Sequence, residues 1–141
     1  MCGLAGYINN IKNFDVNQNV TLLESFCSIL RHRGPSSKGI WYDIKNRVFF
    51  SHTRLSINDL SQNGSQPMID ALSQQVVIFN GEIYNHLKLR QTILKDYNLI
   101  WKSNSDTETL LQTINIFGVE KSLQMFEGMF SFCLFDQKLK K

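Results

Sequence analysis

Gln75-Val76-Val77-Ile78-Phe79 is the stretch that most restricts how this chain can fold. A continuous apolar run of this kind reads as a buried strand rather than one with a wet side. It ends abruptly in Asn80-Gly81-Glu82-Ile83-Tyr84-Asn85-His86. Asn-Gly after a strand often makes a tight turn. The pair also offers a side-chain amide and an unhindered backbone N–H side by side, the two donors an oxyanion hole needs. Both readings stand at this point.

The second feature is the start, Met1-Cys2-Gly3-Leu4-Ala5-Gly6-Tyr7-Ile8. Cysteine is small, so an aminopeptidase is expected to remove Met1 and leave Cys2 with a free α-amine beside its own thiol. One residue then carries a nucleophile and a base. The thiolate is the reactive form of a cysteine, and an α-amine titrates near neutrality, at roughly 7.7 to 8.0. Such an amine can take the thiol proton and later hand it to a leaving group. Leu4, Tyr7 and Ile8 among small residues predict a buried strand rather than a frayed end.

Further along, Asn9 to Asn19 reads as polar and turn-like. Leu23, Phe26, Cys27 and Leu30 then form a helical stripe that stops near Arg31-His32-Arg33-Gly34-Pro35. Cys27 on that stripe reads as core. Short strands are predicted at residues 40–42 and 48–51, leading into His52-Thr53-Arg54-Leu55-Ser56-Ile57-Asn58. Arginine at a strand end can clamp a carboxylate bidentately, which lysine does less well. His52 reads as structural. Residues 83–94 read as a helix, and Ser105-Asp106-Thr107-Glu108 as a capping box that opens another, closed by Gly118. Asp106 in a first turn is favourable to the helix dipole in any case. A short helix around Leu123 and Met125 follows, then a strand over residues 129–136 with Cys133 as packing.

The 141 residues suit one domain, and 43% hydrophobic with 19% charged residues excludes disorder. A net charge of +3 is too small to imply nucleic acid. Cys2, Cys27 and Cys133 are odd in number, widely spaced and without metal-ligand spacing, which fits a reducing cytoplasm. No apolar run reaches transmembrane length, and no signal-peptide pattern is present.

Together and in this order, the segments resemble the class II (N-terminal-nucleophile) glutamine amidotransferases, and most of all the glutaminase domain of asparagine synthetases. They are Cys2-Gly3-Leu4-Ala5-Gly6, Arg31-His32-Arg33-Gly34-Pro35, Arg54-Leu55-Ser56-Ile57, Gln66-Pro67, Asn80-Gly81-Glu82-Ile83-Tyr84-Asn85, Ser105-Asp106-Thr107-Glu108 and Gly128-Met129-Phe130. The resemblance implies an α+β fold, a four-layer α/β/β/α sandwich with two mostly antiparallel sheets. It implies hydrolysis of L-glutamine to glutamate and ammonia through a Cys2 γ-glutamyl thioester, with no metal or cofactor. Asn80 and Gly81 would hold the oxyanion. Arg54 would clamp the α-carboxylate, assisted by backbone near Leu55, Ile57 and Asn58. Glu82 and Asp106 would hold the α-ammonium.

Two departures stand out. Ser36-Ser37-Lys38 replaces the acidic residues usual after Arg-Gly-Pro. The glutaminase domain, taken as residues 2–141, also lacks the family's last strands and the ATP-pyrophosphatase synthetase domain, where ATP and Mg would act. The expectation is therefore a C-terminally incomplete domain that supplies ammonia to a synthetase domain or subunit, with a homo-oligomer possible. The alternative is a non-catalytic remnant that binds or regulates a partner.

Overall fold

The computed structural model describes residues 2–11, 15–57, 59–92 and 94–141. The expectations for Met1 and Asn58 lie outside them. Two three-stranded antiparallel sheets form the centre. In the first, β3 (Val48–Arg54) lies between β1 (Gly3–Ile8) and β2 (Ser37–Asp43). In the second, β5 (Gln75–Ile83) lies between β4 (Met68–Asp70) and β6 (Gly128–Asp136). Helix α1 (Val16–Leu30) packs on the first sheet, while α3 (Asp106–Phe117) packs on the second, with α2 (His86–Thr92) and α4 (Val119–Met125) against it. Because β5 also touches β1 and β3, the layers run α/β/β/α as expected. No helix among the described residues is long and apolar enough to cross a membrane.

Strand alternation divides the core in two. Val76 and Ile78 of β5 face the first sheet and join Val48, Phe50 and Phe135. Val77, Phe79 and Ile83 face the helices and join Leu89, Leu110, Leu111 and Ile114. The continuous apolar run in β5 is therefore the consequence of cover on both faces. Cys27 is buried on α1, as its place on the stripe predicts.

Five local expectations need correction. Helix α1 begins at Val16, capped by the Asp15 carboxylate at 2.8 Å from Asn17 N–H, so its first turns come from the stretch read as turn-like. Ile8, at the end of β1, is 64% exposed rather than buried. Cys133 is exposed on the edge strand β6 rather than packed. Asn80-Gly81 is no turn: β5 continues through it to Ile83. Tertiary partners hold that extension, since Ile83 N–H donates to the Asp106 carboxylate at 3.0 Å and Tyr84 N–H to Glu127 C=O at 2.7 Å. These contacts outweigh the helical pattern from Ile83, and α2 starts at His86.

His52 crosses between the sheets. Its Nε2–H donates to the Phe79 carbonyl at 3.1 Å, and Nδ1 is buried without a partner. Burial pushes its pKa from 6.5 down to about 4, which the Phe79 contact only partly opposes. A depressed histidine pKa costs nothing above 6.5. Below that the unfolded chain gains the proton first, so stability falls from pH 6.5 towards pH 4. At pH 5 the loss from this group should be about 2 kcal/mol relative to pH 7. Urea unfolding of the native chain and His52→Gln at both pH values checks this. The variant should lose less, and equal losses would remove His52 as the cause.

Candidate active site

Cys2 precedes the first residue of β1, where Gly3 pairs with Thr53. Its neighbours are therefore the end of β3 and the turn after it. Leu55 N–H points at Cys2 Sγ across 3.4 Å, and Arg33 Nε–H donates to the Cys2 carbonyl at 3.0 Å. The basic turn after α1 thus reaches the candidate nucleophile's main chain.

Arg54 is the last residue of β3 and only 8% exposed. Its guanidinium donates to the Ser61 carbonyl at 2.7 Å and to the Asp59 carbonyl, with Gly64 packed against it. Neither ion pair among the described residues, Lys38–Glu24 or Arg90–Glu108, includes Arg54, though its charge acts on the nearby Asp59 carboxyl.

On β5 the backbone N–H groups of alternate residues point to the same strand edge. Strand β4 covers that edge only as far as Val77, which pairs with Met68. Beyond it, Phe79 N–H donates to Gln66 Oε1 at 2.6 Å and Ile83 N–H to Asp106. Gly81 lies between them in sequence, so its N–H falls on the same uncovered edge. Gly81 adopts φ +147°, and a Cβ there would run into the backbone of Met129 and Phe130, so only glycine fits.

Asp106 opens α3, buried at 6% exposure. Burial pushes its carboxyl above the usual range, and the Ile83 N–H pulls it partly back. The capping box is displaced. Ser105 Oγ accepts from Thr107 N–H, but Glu108 turns to the N–H groups of Lys102 and Ser103 at 2.9 and 2.8 Å.

These groups meet at a cavity of about 160 Å³. Its lining includes Cys2, Arg54, Leu55, Ile57, Gly81, Glu82 and Asp106. The volume is well below the roughly 300 Å³ at which sites for drug-sized ligands begin, so it favours a small metabolite. Ile57 borders it while 69% exposed. Asn80 lies on β5 between two lining residues, yet is not itself part of the lining, and its Oδ1 is buried without a partner. A wider groove of about 550 Å³ between β4 and residues 98–102 contains none of the candidate residues.

The sequence assigns no role to Gln66 or Asp59. Both line the cavity. Gln66 spans from Phe79 N–H to Thr107 Oγ1, to which its Nε2 donates at 3.1 Å. Gln66-Pro67 was visible as a motif, but nothing local in sequence shows which peptide a glutamine will satisfy.

The model of the glutamine amidotransferase domain matches residues 1–141. Asparagine synthetase [glutamine-hydrolyzing] 1 of Bacillus subtilis is 35% identical over 138 residues, covering 97% of this chain and 21% of that protein. Amidase chry2 of Gibberella zeae is 30% identical over 144 residues, covering 97% of this chain and 21% of that protein. The chain thus spans about a fifth of the length of these relatives. In fold it is similar to the glutamine phosphoribosylpyrophosphate amidotransferase of B. subtilis, with a TM-score of 0.53 and 23% identity over 64% of this chain and 21% of that one.

Replacing Gln66 with alanine should strand the buried Phe79 N–H and cost about 1–3 kcal/mol of stability. Urea denaturation measures it, and an unchanged midpoint would show that Phe79 finds another acceptor.

Proposed function

The chain belongs to the glutamine amidotransferase domain family, and from that premise we propose that it performs the glutaminase half-reaction of an asparagine synthetase-like amidotransferase. The observation that carries this reading is one cavity with Cys2 at its wall, a buried guanidinium from Arg54 that forms no ion pair, and two carboxylates, Glu82 and Asp106. L-Glutamine is a zwitterion with a neutral side-chain amide. It needs a cation for one charged group and carboxylates for the other, within reach of the nucleophile. A non-catalytic binding module has no need of that combination around a thiol.

In this reading Met1 is removed and the Cys2 α-amine takes the thiol proton. Sulfur bonds to the side-chain amide carbon, and the carbonyl electrons move to oxygen. The Gly81 N–H and the Asn80 amide hold that oxyanion; one such donor is worth about 3 kcal/mol. Collapse of the intermediate breaks the C–N bond, and the amine's proton leaves with ammonia. Water then adds to the γ-glutamyl thioester, the C–S bond breaks, and glutamate departs with the thiol restored. Gly81 supplies its donor from the uncovered edge of β5. Asn80 meets its role by a side-chain movement towards the cavity. Arg54 holds the α-carboxylate, with Leu55 and Ile57 alongside it, and Glu82 and Asp106 hold the α-ammonium.

Thiol and amine together supply nucleophile and base, so the half-reaction calls for no metal or cofactor. The ammonia acceptor is a synthetase domain or subunit of the asparagine synthetase kind, which would bring its own ATP and Mg. Free thiols at Cys2, Cys27 and Cys133 fit a cytoplasmic setting.

Intact mass before and after treatment with diazo-oxo-norleucine tests the proposal. The expected result is loss of the Met1 mass and one adduct, mapped to Cys2. Cys2→Ala should melt like the native chain, take no label and release no glutamate. Glutamate release surviving in that variant would overturn the nucleophile assignment.

A further inference from the structure

Glutamine's α-carboxylate and α-ammonium hang from a single carbon, so the groups that hold them must keep one fixed separation. In this fold they come from different elements. Arg54 ends β3, whereas Asp106 opens α3, 52 residues later by the difference of their numbers.

Asp59 joins the two. Its carbonyl accepts from the Arg54 guanidinium. One carboxylate oxygen accepts from Ser61 N–H at 2.7 Å, the other from Asn104 N–H at 2.8 Å. Asn104 lies two residues before Asp106. One residue therefore grips the cation by its main chain and the segment bearing the carboxylate by its side chain. Asp59 is 9% exposed, and its carboxyl lies below the usual range, held there first by hydrogen bonds from Ser61 and also by Asn104 N–H. The Arg54 charge lowers it further, although the two do not form an ion pair.

We infer that Asp59 is a positioning residue that sets the distance between Arg54 and Asp106, and so the preference of the site for an α-amino acid head group. This rests on the glutaminase reading and adds a determinant of its selectivity. The carbonyl half of the clasp survives any substitution at Asp59, while the carboxylate half does not. Loss should therefore fall on the ammonium end. In Asp59→Asn an amide NH₂ faces one of the two N–H groups, donor against donor. Asp59→Ala removes both acceptors.

The test is steady-state hydrolysis by the full chain of L-glutamine and of glutaramate, which is glutamine without its α-amino group. For Asp59→Asn the KM for L-glutamine should rise about tenfold, the size of one lost charge-assisted hydrogen bond. Its kcat should stay within about twofold, and so should the KM for glutaramate, so that discrimination between the two substrates shrinks. Asp59→Ala should show the same pattern, larger. If its thermal melt shows that it is unfolded, the near-isosteric Asp59→Asn decides alone. Equal rises in KM for both substrates, or a fall in kcat at constant KM, would overturn the positioning role while leaving the glutaminase reading intact. A native chain of correct mass that hydrolyses neither substrate and takes no label would overturn the glutaminase reading and this inference with it.

Discussion

The main chain of Phe79 is the point on which the site depends. A buried peptide must satisfy both its N–H and its C=O. Strand β4 stops at Met68, opposite Val77, so no strand reaches Phe79 on that side. Two side chains take its place: Gln66 accepts the N–H and His52 donates to the C=O. Had β4 continued, its backbone would have closed the edge of β5. Because side chains replace it at Phe79 and Ile83, the edge between them stays free of a strand at Gly81, and the cavity forms there. Gln66 carries the connection on to Thr107 in α3, and His52 carries it to β3. These two main-chain groups of Phe79 thus tie together the elements that bear Arg54, Gly81 and Asp106.

The sequence showed the parts of this arrangement more clearly than their connections. The α/β/β/α layering, the two-faced burial of β5 and the place of Cys27 were legible because each follows from a local apolar pattern. Cys2, Arg54, Gly81, Glu82 and Asp106 were visible as motif residues, and they line one cavity. The failures share a cause. The extension of β5 through Asn80-Gly81, the displaced carboxylate of Glu108 and the clasp at Asp59 all depend on partners distant in sequence. Glu108 matches the capping-box spacing, yet the N–H groups of Lys102 and Ser103 claim it. Arg90 helps to shape that loop, donating to the carbonyls of Ser103 and Ser105 while stacking on Trp101. None of these competitions can be read from a spacing. Exposure misled in a related way: Ile8 and Cys133 suit strand interiors by type, but Ile8 ends its strand and Cys133 sits on an edge strand, both exposed.

The electrostatics of the cavity follow from how its charged groups are satisfied. A buried guanidinium is costly unless its donors are met. Pairing Arg54 with a carboxylate would have met them and cancelled the charge, leaving little attraction for an anionic ligand. Carbonyls of Asp59 and Ser61 meet part of the demand with dipoles instead, and the positive charge remains. Asp106 shows the converse. Its carboxylate takes the Ile83 N–H, and burial raises the cost of its negative charge, which nearby His86 and Arg90 offset only in part. A cation arriving beside it would relieve that cost. The site thus holds a positive charge at one end and a costly negative charge at the other. A ligand carrying both charges on one carbon meets both at once, whereas a simple anion or a simple cation meets one. In the proposed reading, selectivity for an amino acid follows from a guanidinium held by carbonyls at one end of the cavity and a buried carboxylate at the other.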